Sequence, residues 1–374
     1  MLLLDNEKIL TGSVRKIVVI SSDEDIGTRI AEILRTRALE NIEVIKKNLF
    51  DLSNILISAE DTFGVIVDLE AENEVNKITD KIYSVIPQGV WCCVIGKSDS
   101  ILLSQQLLNK GILYFHASSQ INQMVETVVS GVDIPTVRNT VKISVLSCKG
   151  GIGSTLISSH IANQIVLNKK VPVLLAQGEN GSQDLDLLFD KKLQGDIVEY
   201  ARNFDLFSGA PSELSTSVTD KYNFVIYDQP IFNVKKDDLP KFFEHSNSFL
   251  LIVERRIGSL RVAKQFLEEC ERVRNIQGKP IRTFICISDS RLETSKAMAK
   301  TDIETLLGVS VDAVIPLLKN IGTKNILSIN LGRKGRKEIE ALMMKVIGAV
   351  SRSGSKSKEK NSFFSSFVKS LINN

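Results

Sequence analysis

The 374-residue chain has few cysteines, and their spacing fits no metal or disulfide framework. The five residues are Cys92, Cys93, Cys148, Cys270 and Cys286. They are odd in number and form no CxxC pair, and no histidine lies at metal-ligand spacing from them. We therefore expect buried, reduced thiols in a reducing compartment, and neither a zinc nor an iron–sulfur site.

Long apolar runs are also absent. No stretch approaches the roughly 20 residues that a membrane-spanning helix needs. Acidic and basic residues (Asp5, Glu7 and Lys8) interrupt the opening Met-Leu-Leu-Leu at once, so it does not resemble a secretory signal. With 43% hydrophobic and 24% charged residues, the composition is typical of a globular protein, and the length favours two domains. We expect a cytoplasmic protein.

Charge is unevenly distributed along the chain. The net formal charge is +3, but the segment from Gly332 to the end carries +7 and the remainder −4. A basic C-terminal segment predicts one local anionic partner. The mildly acidic body does not favour a nucleic-acid partner.

Short β-branched runs alternate with amphipathic stretches over most of the sequence, which predicts an α/β fold with two doubly wound parallel-sheet domains. The expected units are a receiver-like, flavodoxin-type domain over 1–131, a linker over 132–140, a P-loop domain over 141–350, and a basic tether with an amphipathic helix over 351–374. The predicted strands are 16–20, 42–45, 64–67, 91–95 and 112–115 in the first domain, and 141–147, 171–176, 224–227, 249–253, 283–287 and 311–315 in the second.

The most informative segment is a glycine-rich turn between an apolar strand and a helix-like stretch. Its residues are Lys149, Gly150, Gly151, Ile152, Gly153, Ser154 and Thr155. Glycines allow backbone N–H groups to surround a polyphosphate, and the helix N-terminus favours negative charge. A hydroxyl in the first helical turn, here Thr155, is a suitable Mg²⁺ ligand. The alternative is a tight turn without a ligand.

This segment resembles the deviant Walker A loop, K-G-G-x-G-K-[ST], of the ParA/MinD superfamily. The resemblance implies ATP or ADP with Mg²⁺, and a homodimer in which Lys149 reaches the nucleotide of the partner subunit. The second lysine of the pattern is replaced by Ser154 in this chain. Loss of that charge weakens phosphate binding and transition-state stabilisation but leaves the backbone cradle. Lys149 acting within its own chain stays open as an alternative.

Two further strand ends match the same resemblance. The segment 223–230 looks like a Walker B strand, which implies that Asp228 binds Mg²⁺ through water. The strand over 171–176 should end in a carboxylate that orients the attacking water, but Gln177 stands there, with Glu179 two residues later. A neutral amide positions water without accepting its proton. We therefore expect weak or no ATP hydrolysis.

Segments 250–261 and 311–316, together with a receiver-like domain before the ATPase domain, resemble the TadZ/CpaE proteins of the Flp (tight adherence) pilus system. The resemblance implies a dimeric localisation factor, peripheral to the inner membrane at a cell pole. Its partners would be the pilus secretion machinery, including the secretion ATPase. The alternatives are a DNA-partition ATPase, a phosphorylation-controlled response regulator, and a degenerate P-loop scaffold without nucleotide.

The first domain has one of the four parts that a phosphorylatable receiver needs. Asp68 ends a predicted strand at the position of a phospho-acceptor. The residues at the other positions are Ser21, Ser22, Gly96, and His116 or Ala117. Without acids to hold Mg²⁺, phosphoryl transfer is not expected. We interpret the domain as a pseudo-receiver for docking or dimerisation, with Asp68 as a vestigial acceptor.

The last fourteen residues form an amphipathic pattern behind a basic tether. At 100° per residue, one half of the helical circle is apolar. This half consists of Phe363, Phe364, Phe367, Val368, Leu371 and Ile372. Aromatic anchors beside lysines favour reversible binding to an anionic membrane surface. A groove on a partner or on the protein itself is the alternative.

Overall fold

The computed structural model describes residues 15–51, 57–59, 61–130, 134–135, 140–178, 180–193, 195–278, 281–289, 297–318 and 325–348. Over these residues the architecture is mixed α/β with two sheets. None of the helices in the described part of the chain has the length and apolar character required to cross a bilayer. Glu179, the tether and the predicted C-terminal helix lie outside the described residues, as does most of the predicted linker.

The N-terminal sheet has five parallel strands in the order β2-β1-β3-β4-β5, which is the flavodoxin-type order. Its strands are β1 (Lys16–Ile20), β2 (Ile42–Ile45), β3 (Thr62–Asp68), β4 (Trp91–Gly96) and β5 (Leu113–His116). Its helices are α1 (Glu24–Thr36), α2 (Val75–Val85), α3 (Ile101–Leu108) and α4 (Ile121–Ser130).

The second sheet has eight strands in the order β13-β12-β11-β6-β10-β7-β9-β8. Its strands are β6 (Val141–Ser147), β7 (Val173–Gln177), β8 (Val198–Ala201), β9 (Phe204–Ser208), β10 (Phe224–Pro230), β11 (Ser248–Val253), β12 (Arg282–Ser288) and β13 (Ala313–Ile315). Its helices are α5 (Ser154–Lys169), α6 (Leu185–Phe189), α7 (Thr216–Thr219), α8 (Phe242–His245), α9 (Ile257–Gln277), α10 (Lys300–Leu307) and α11 (Gly332–Val346).

The central strands of both sheets are apolar because both of their faces are covered. All six residues of β4 and all six of β11 are buried, as expected for parallel strands between two helix layers. The eleven predicted strands are all confirmed, and most of their bounds agree within two residues. Apolar runs of this kind are therefore a sufficient signal for these strands.

The hairpin of β8 and β9 is absent from the sequence prediction. These strands pair in an antiparallel manner at the edge of the eight-stranded sheet. A two-residue turn, Arg202-Asn203, joins them, and Asn203 has φ +63°. Asn in a left-handed turn position between two β-rich runs is a hairpin signal. The hairpin could therefore have been predicted from the sequence.

A buried polar junction connects the two sheets. Asn223, immediately before β10, is 2% exposed. Its Nδ2 donates to the Tyr83 carbonyl at 3.0 Å and the Ile86 carbonyl at 2.7 Å, while its Oδ1 accepts from the Gln88 N–H at 2.8 Å. One continuous cluster of buried apolar residues includes members of both sheets. The start of β10 is thus fixed to the end of α2.

All five cysteines are free and buried, as the sequence predicts. Burial raises the pKa of the Cys270 thiol to about 12 and raises the pKa of Cys93, Cys148 and Cys286 further. These thiols therefore stay protonated at neutral pH and are poor nucleophiles.

Candidate functional site

The glycine-rich turn leaves the carboxyl end of β6 and leads into α5. Gly151 and Gly153 adopt φ +70° and +82°, a left-handed conformation in which a side chain is strained. Ile152 between them is 1% exposed and anchors the turn in the core. Gly153 is the N-cap of α5 and supplies no side-chain acceptor. The first N–H groups of α5 therefore remain available to an anion.

Thr155 and Asp228 come together at the start of α5. The Thr155 hydroxyl donates to Asp228 Oδ2 at 2.7 Å. Asp228 lies near the end of β10, which pairs in parallel with β6, so the two strand ends meet at one edge of the sheet. Both predicted Mg²⁺ ligands are thus neighbours, although 73 residues separate them in sequence.

Asp228 is a buried carboxylate in a low-dielectric environment. Burial raises its pKa to about 6, and hydrogen bonds from Thr155 and Gln177 offset part of that rise. The charge of Asp184 raises the pKa further. A cation beside Asp228 would relieve this cost of burial, and oxygen ligands of this kind suit Mg²⁺. The residues present therefore fit the implied metal.

A cleft of about 560 Å³ opens above the turn. The turn glycines, Asp184, Asp228 and Phe232 line it together with Ile326 and Ile329. This volume lies in the range of small-ligand sites, roughly 300–1,000 Å³. A lining that combines polar groups with apolar side chains suits a ligand that has both a charged and an apolar part.

Gln177 at the end of β7 is buried, and its side-chain amide is hydrogen-bonded to residues of the following loop and α6. Its Nε2 donates to Ser182 Oγ at 3.3 Å and Asp184 Oδ1 at 3.2 Å, and its Oε1 accepts from the Leu185 N–H at 3.0 Å. These bonds hold the loop between β7 and α6. Asp184, which sequence reasoning missed, is the carboxylate that the described loop brings into the cleft, whereas Glu179 lies outside the described residues.

Lys149 is partly exposed and pairs with a buried carboxylate. Its Nζ contacts Glu254 Oε1, a carboxylate just beyond β11 whose side chain is only 6% exposed. Ser154, at the position of the second lysine of the pattern, begins α5 and carries no charge. Sequence reasoning missed Glu254 because 105 residues separate it from Lys149.

Three large exposed apolar side chains lie on segments that follow β7, β10 and β11. Phe232 is 44% exposed and lines the cleft, and its ring lies 3.3 Å from where a Cβ on Gly150 would be. Leu187 in α6 is 75% exposed and Ile257 at the start of α9 is 60% exposed. An exposed apolar ring in the lining of a cleft favours an interaction surface. Their apolar character is visible in sequence, but their exposure is not.

Asp68, the predicted vestigial acceptor, is buried at the end of β3. Its Oδ2 accepts from the Ser21 hydroxyl at 2.7 Å, and its Oδ1 accepts from the Glu70 N–H at 2.9 Å. Only 3% of Asp68 is exposed. A serine hydroxyl, and no second carboxylate, therefore contacts Asp68 at the end of β1.

Comparisons with known proteins give a likeness of fold. No protein-family model matches the chain, and no curated protein matches it. A ParA family ATPase from Chlorobium tepidum is 18% identical, with 55% of this chain and 99% of that chain covered and a TM-score of 0.41. The MinC:MinD cell division protein complex of Aquifex aeolicus is 16% identical, with 56% and 96% covered and a TM-score of 0.46.

A third similar structure is the septum site-determining protein MinD complexed with Mg-ADP from Pyrococcus horikoshii. It is 17% identical, with 56% of this chain and 96% of that chain covered and a TM-score of 0.43. At such identities the likeness concerns the fold of a little over half of this chain. The function of the chain therefore rests on the residues of its own site.

Proposed function

We propose that this chain binds Mg-ATP or Mg-ADP at the turn between β6 and α5. The observation that carries the proposal is the 2.7 Å hydrogen bond between Thr155 Oγ1 and Asp228 Oδ2 beside the uncapped start of α5. Mg²⁺ would lie at these two oxygens and neutralise phosphate charge. Backbone N–H groups of the turn would hold the phosphates.

Hydrolysis in this proposal is weak or absent. Ser154 supplies no point charge to a developing transition state, and the Gln177 amide accepts no proton from water. Both atoms of the Gln177 side-chain amide are already hydrogen-bonded within the loop. We expect Ser154 and Gln177 to reduce the rate of ATP hydrolysis more than the affinity for nucleotide.

The test is calorimetric titration with Mg-ATP, with released phosphate counted in the same sample. Thr155→Ala removes the hydroxyl ligand and weakens binding about 10–100-fold in Mg²⁺, the loss expected for a bond to a charged group. In EDTA the same variant changes binding little. Thr305→Ala, which removes an exposed helical hydroxyl in α10, is the matched control and leaves binding unchanged.

Each outcome of that titration has a different meaning. Binding with little phosphate release supports a nucleotide-bound scaffold. Brisk turnover contradicts the assignment of weak hydrolysis and favours a partition-type cycle. No binding at millimolar nucleotide rejects the proposal and leaves a degenerate P-loop scaffold.

The proposal extends to a homodimer formed over the cleft. The exposed side chains of Leu187, Phe232 and Ile257 support it, because a second copy would cover them. Leu187→Asp should abolish a dimer seen by analytical ultracentrifugation with Mg-ATP. Ile276→Asp is the control, since Ile276 is similarly exposed at the distant end of α9. Equal dimerisation of both variants would place the interface elsewhere.

We further propose that residues 351–374 attach the dimer to an anionic membrane. The support is the sequence itself: a lysine-rich tether followed by a helix pattern with aromatic anchors. Paired tails in a dimer increase the strength of surface attachment. Liposomes with anionic lipid should sediment the full chain but not a chain that ends at Ser351. Equal sedimentation would exclude the membrane role and favour a partner groove.

The cellular role that we propose is polar localisation of Flp-type pilus secretion machinery, including its secretion ATPase. The support is the resemblance of the loop and of the order of the segments to TadZ/CpaE proteins. Deletion of the gene should abolish surface pili and leave plasmid inheritance intact. The opposite phenotype would assign the chain to DNA partition.

A further inference from the structure

A second cavity, of about 540 Å³, lies between α2 and the eight-stranded sheet. Its lining combines residues of α2 with residues from the start of β12 and from the last turns of α9 and α11. The cleft at the glycine-rich turn lies instead at the carboxyl ends of the strands, and it shares none of its described lining residues with this cavity. We call this second space the basic cavity.

Cations outnumber acids among the described residues that line the basic cavity. The two acids are Glu74 and Asp80. The five cations are Lys77, Lys81, Arg274, Arg282 and Lys345. The nucleotide cleft has the opposite composition, because its described lining includes Asp184 and Asp228 and no lysine or arginine. Positive side chains gathered in a concave site favour an anionic ligand.

Three of these cations already contact carboxylates. The pairs are Arg282 with Asp80 at 2.9 Å, Lys345 with Asp312 at 3.4 Å, and Lys77 with Glu72. The pair of Arg282 and Asp80 links the first residue of β12 to α2, so it also connects the two sheets. The charges of these three cations are partly neutralised, which makes the other two more important for an anion.

Arg274, near the end of α9, donates to neutral acceptors. Its Nε and Nη2 donate to the Ile281 carbonyl at 3.1 and 2.8 Å, and Nη2 lies 3.4 Å from Thr283 Oγ1. Within the described part of the chain, no carboxylate contacts this guanidinium and Nη1 makes no hydrogen bond. The chain therefore orients Arg274 and leaves its charge available. Guanidinium groups bind phosphate through parallel hydrogen bonds.

Lys81 adds a buried ammonium to the same lining. The residue is 4% exposed, and its Nζ donates to the Phe50 carbonyl at 3.2 Å. Burial and the charge of Lys169 lower the pKa of Lys81 to about 8, although the charge of Asp51 acts in the opposite direction. An anion in the cavity would favour the charged form of this lysine.

We propose that the basic cavity binds a small organic phosphate, whose phosphate group is held by Arg274. A phosphate group carries about two negative charges at pH 7, which suits the excess of cations. Phe50, Ile281 and Phe284 also line the cavity and offer apolar contacts for the organic part. The volume lies in the range of small-ligand sites, roughly 300–1,000 Å³. Because elements packed on both sheets line the cavity, the ligand stabilises the contact between them.

The test is calorimetric titration of the full chain with AMP in EDTA, with hydrogen–deuterium exchange measured on the same mixture. We expect binding, with protection of segments 74–85 and 282–288. Arg274→Gln should weaken AMP binding about tenfold or more, because charge-assisted hydrogen bonds to the phosphate are lost. Lys77→Gln, at a more exposed position in α2, should weaken it about two- to fivefold.

Arg261→Gln is the matched control, because Arg261 is exposed in the same helix α9 and lines neither the basic cavity nor the nucleotide cleft. It should leave AMP binding unchanged. Arg274→Gln should leave Mg-ATP binding unchanged, because the two sites share no residue. The result for AMP therefore stands apart from the proposed nucleotide site.

Four outcomes would overturn the basic cavity as a phosphate site. Protection confined to the glycine-rich turn would place AMP in the nucleotide cleft. Equal weakening by Arg274→Gln and Arg261→Gln would remove the role of Arg274. Equal affinity for inorganic phosphate and AMP would exclude recognition of an organic part. Absence of AMP binding at millimolar concentration would reject the site altogether.

Discussion

Asn223 provides the sharpest test of how the two sheets depend on each other. The side chain is buried where β10 begins and bonds three backbone groups at the end of α2. We expect Asn223→Ala to remove these three bonds without disturbing either sheet directly. A net contribution of about 1 kcal/mol per bond predicts a loss of about 3 kcal/mol.

A second substitution separates hydrogen bonding from packing. Asn223→Asp keeps the shape and the acceptor for the Gln88 N–H. However, it places a carboxylate oxygen against the carbonyls of Tyr83 and Ile86. In the wild type the Asn223 Nδ2 amide donates to both of these carbonyls. A buried carboxylate facing two acceptors is costlier than a small cavity. Asn223→Asp should therefore destabilise the protein more than Asn223→Ala.

The assay is thermal unfolding followed by two signals. The single tryptophan, Trp91, is 4% exposed in β4, so its fluorescence reports on the five-stranded sheet alone. Far-ultraviolet circular dichroism reports on both sheets. In the wild type we expect coincident transitions. In Asn223→Ala we expect the tryptophan midpoint to fall by about 5 °C or more and to separate from the circular dichroism transition.

The control is an asparagine that also immediately precedes a strand of the same sheet. Asn247 immediately precedes β11, and its exposed side chain has no hydrogen-bond partner among the described residues. Asn247→Ala should change stability by no more than about 0.5 kcal/mol. An Asn223→Ala midpoint equal to that of Asn247→Ala would refute the junction as a stabilising element.

The remaining predictions concern the two carboxylates at strand ends and the turn. Because the pKa of Asp228 is raised to about 6, its effect on stability is fully favourable below the unfolded pKa of 3.8 and is lost as pH rises through 6. In Mg²⁺-free buffer, the wild type should therefore lose about 2 kcal/mol of unfolding free energy relative to Asp228→Asn between pH 4 and 6, and the same pH dependence of unfolding free energy in both proteins would contradict this. For the same reason, protons compete with Mg²⁺, and Mg-ATP binding should weaken about tenfold from pH 7 to pH 5. Acetyl phosphate with Mg²⁺ should not label Asp68, because its side-chain partner is the Ser21 hydroxyl and not an acid that could hold Mg²⁺; a phosphoprotein that disappears in Asp68→Asn would restore the response-regulator hypothesis. Gly153→Ala should weaken nucleotide binding about 5–30-fold, because backbone strain of about 1–2 kcal/mol displaces the turn from the conformation that holds phosphate, and unchanged binding would show that the turn is not the phosphate cradle.

Local patterns in the sequence were sufficient for the strands and the turn. The segment around Gly151 and Gly153 predicts a glycine-rich turn between a strand and a helix, and the structure has this turn between β6 and α5, with positive φ at both glycines. Asp228 at the end of an apolar run predicts a polar group at the carboxyl edge of a parallel sheet. Such features depend on neighbours in sequence, so composition and periodicity define them.

The loop between β7 and α6 shows where local patterns stop being informative. Gln177 occupies the position at which the resemblance implies a carboxylate that orients the attacking water. Its hydrogen bonds to Ser182 and to the Leu185 N–H depend on the conformation of that loop. Asp184 reaches the cleft for the same reason. The spacing of these residues in the sequence does not indicate which side chain lines the cleft.

The sequence by itself determined the alternation of strands and helices, the position of the glycine-rich turn and the burial of the thiols. These follow from hydrophobic periodicity and from the backbone freedom of glycine, which act over a few residues. Only the tertiary structure decided that Lys149 is paired with Glu254, that Ser21 donates to Asp68, and that Asn223 joins the two sheets. Each of these contacts links residues 47 to 140 positions apart. Their partners are chosen by strand order and packing, which no short stretch of sequence specifies.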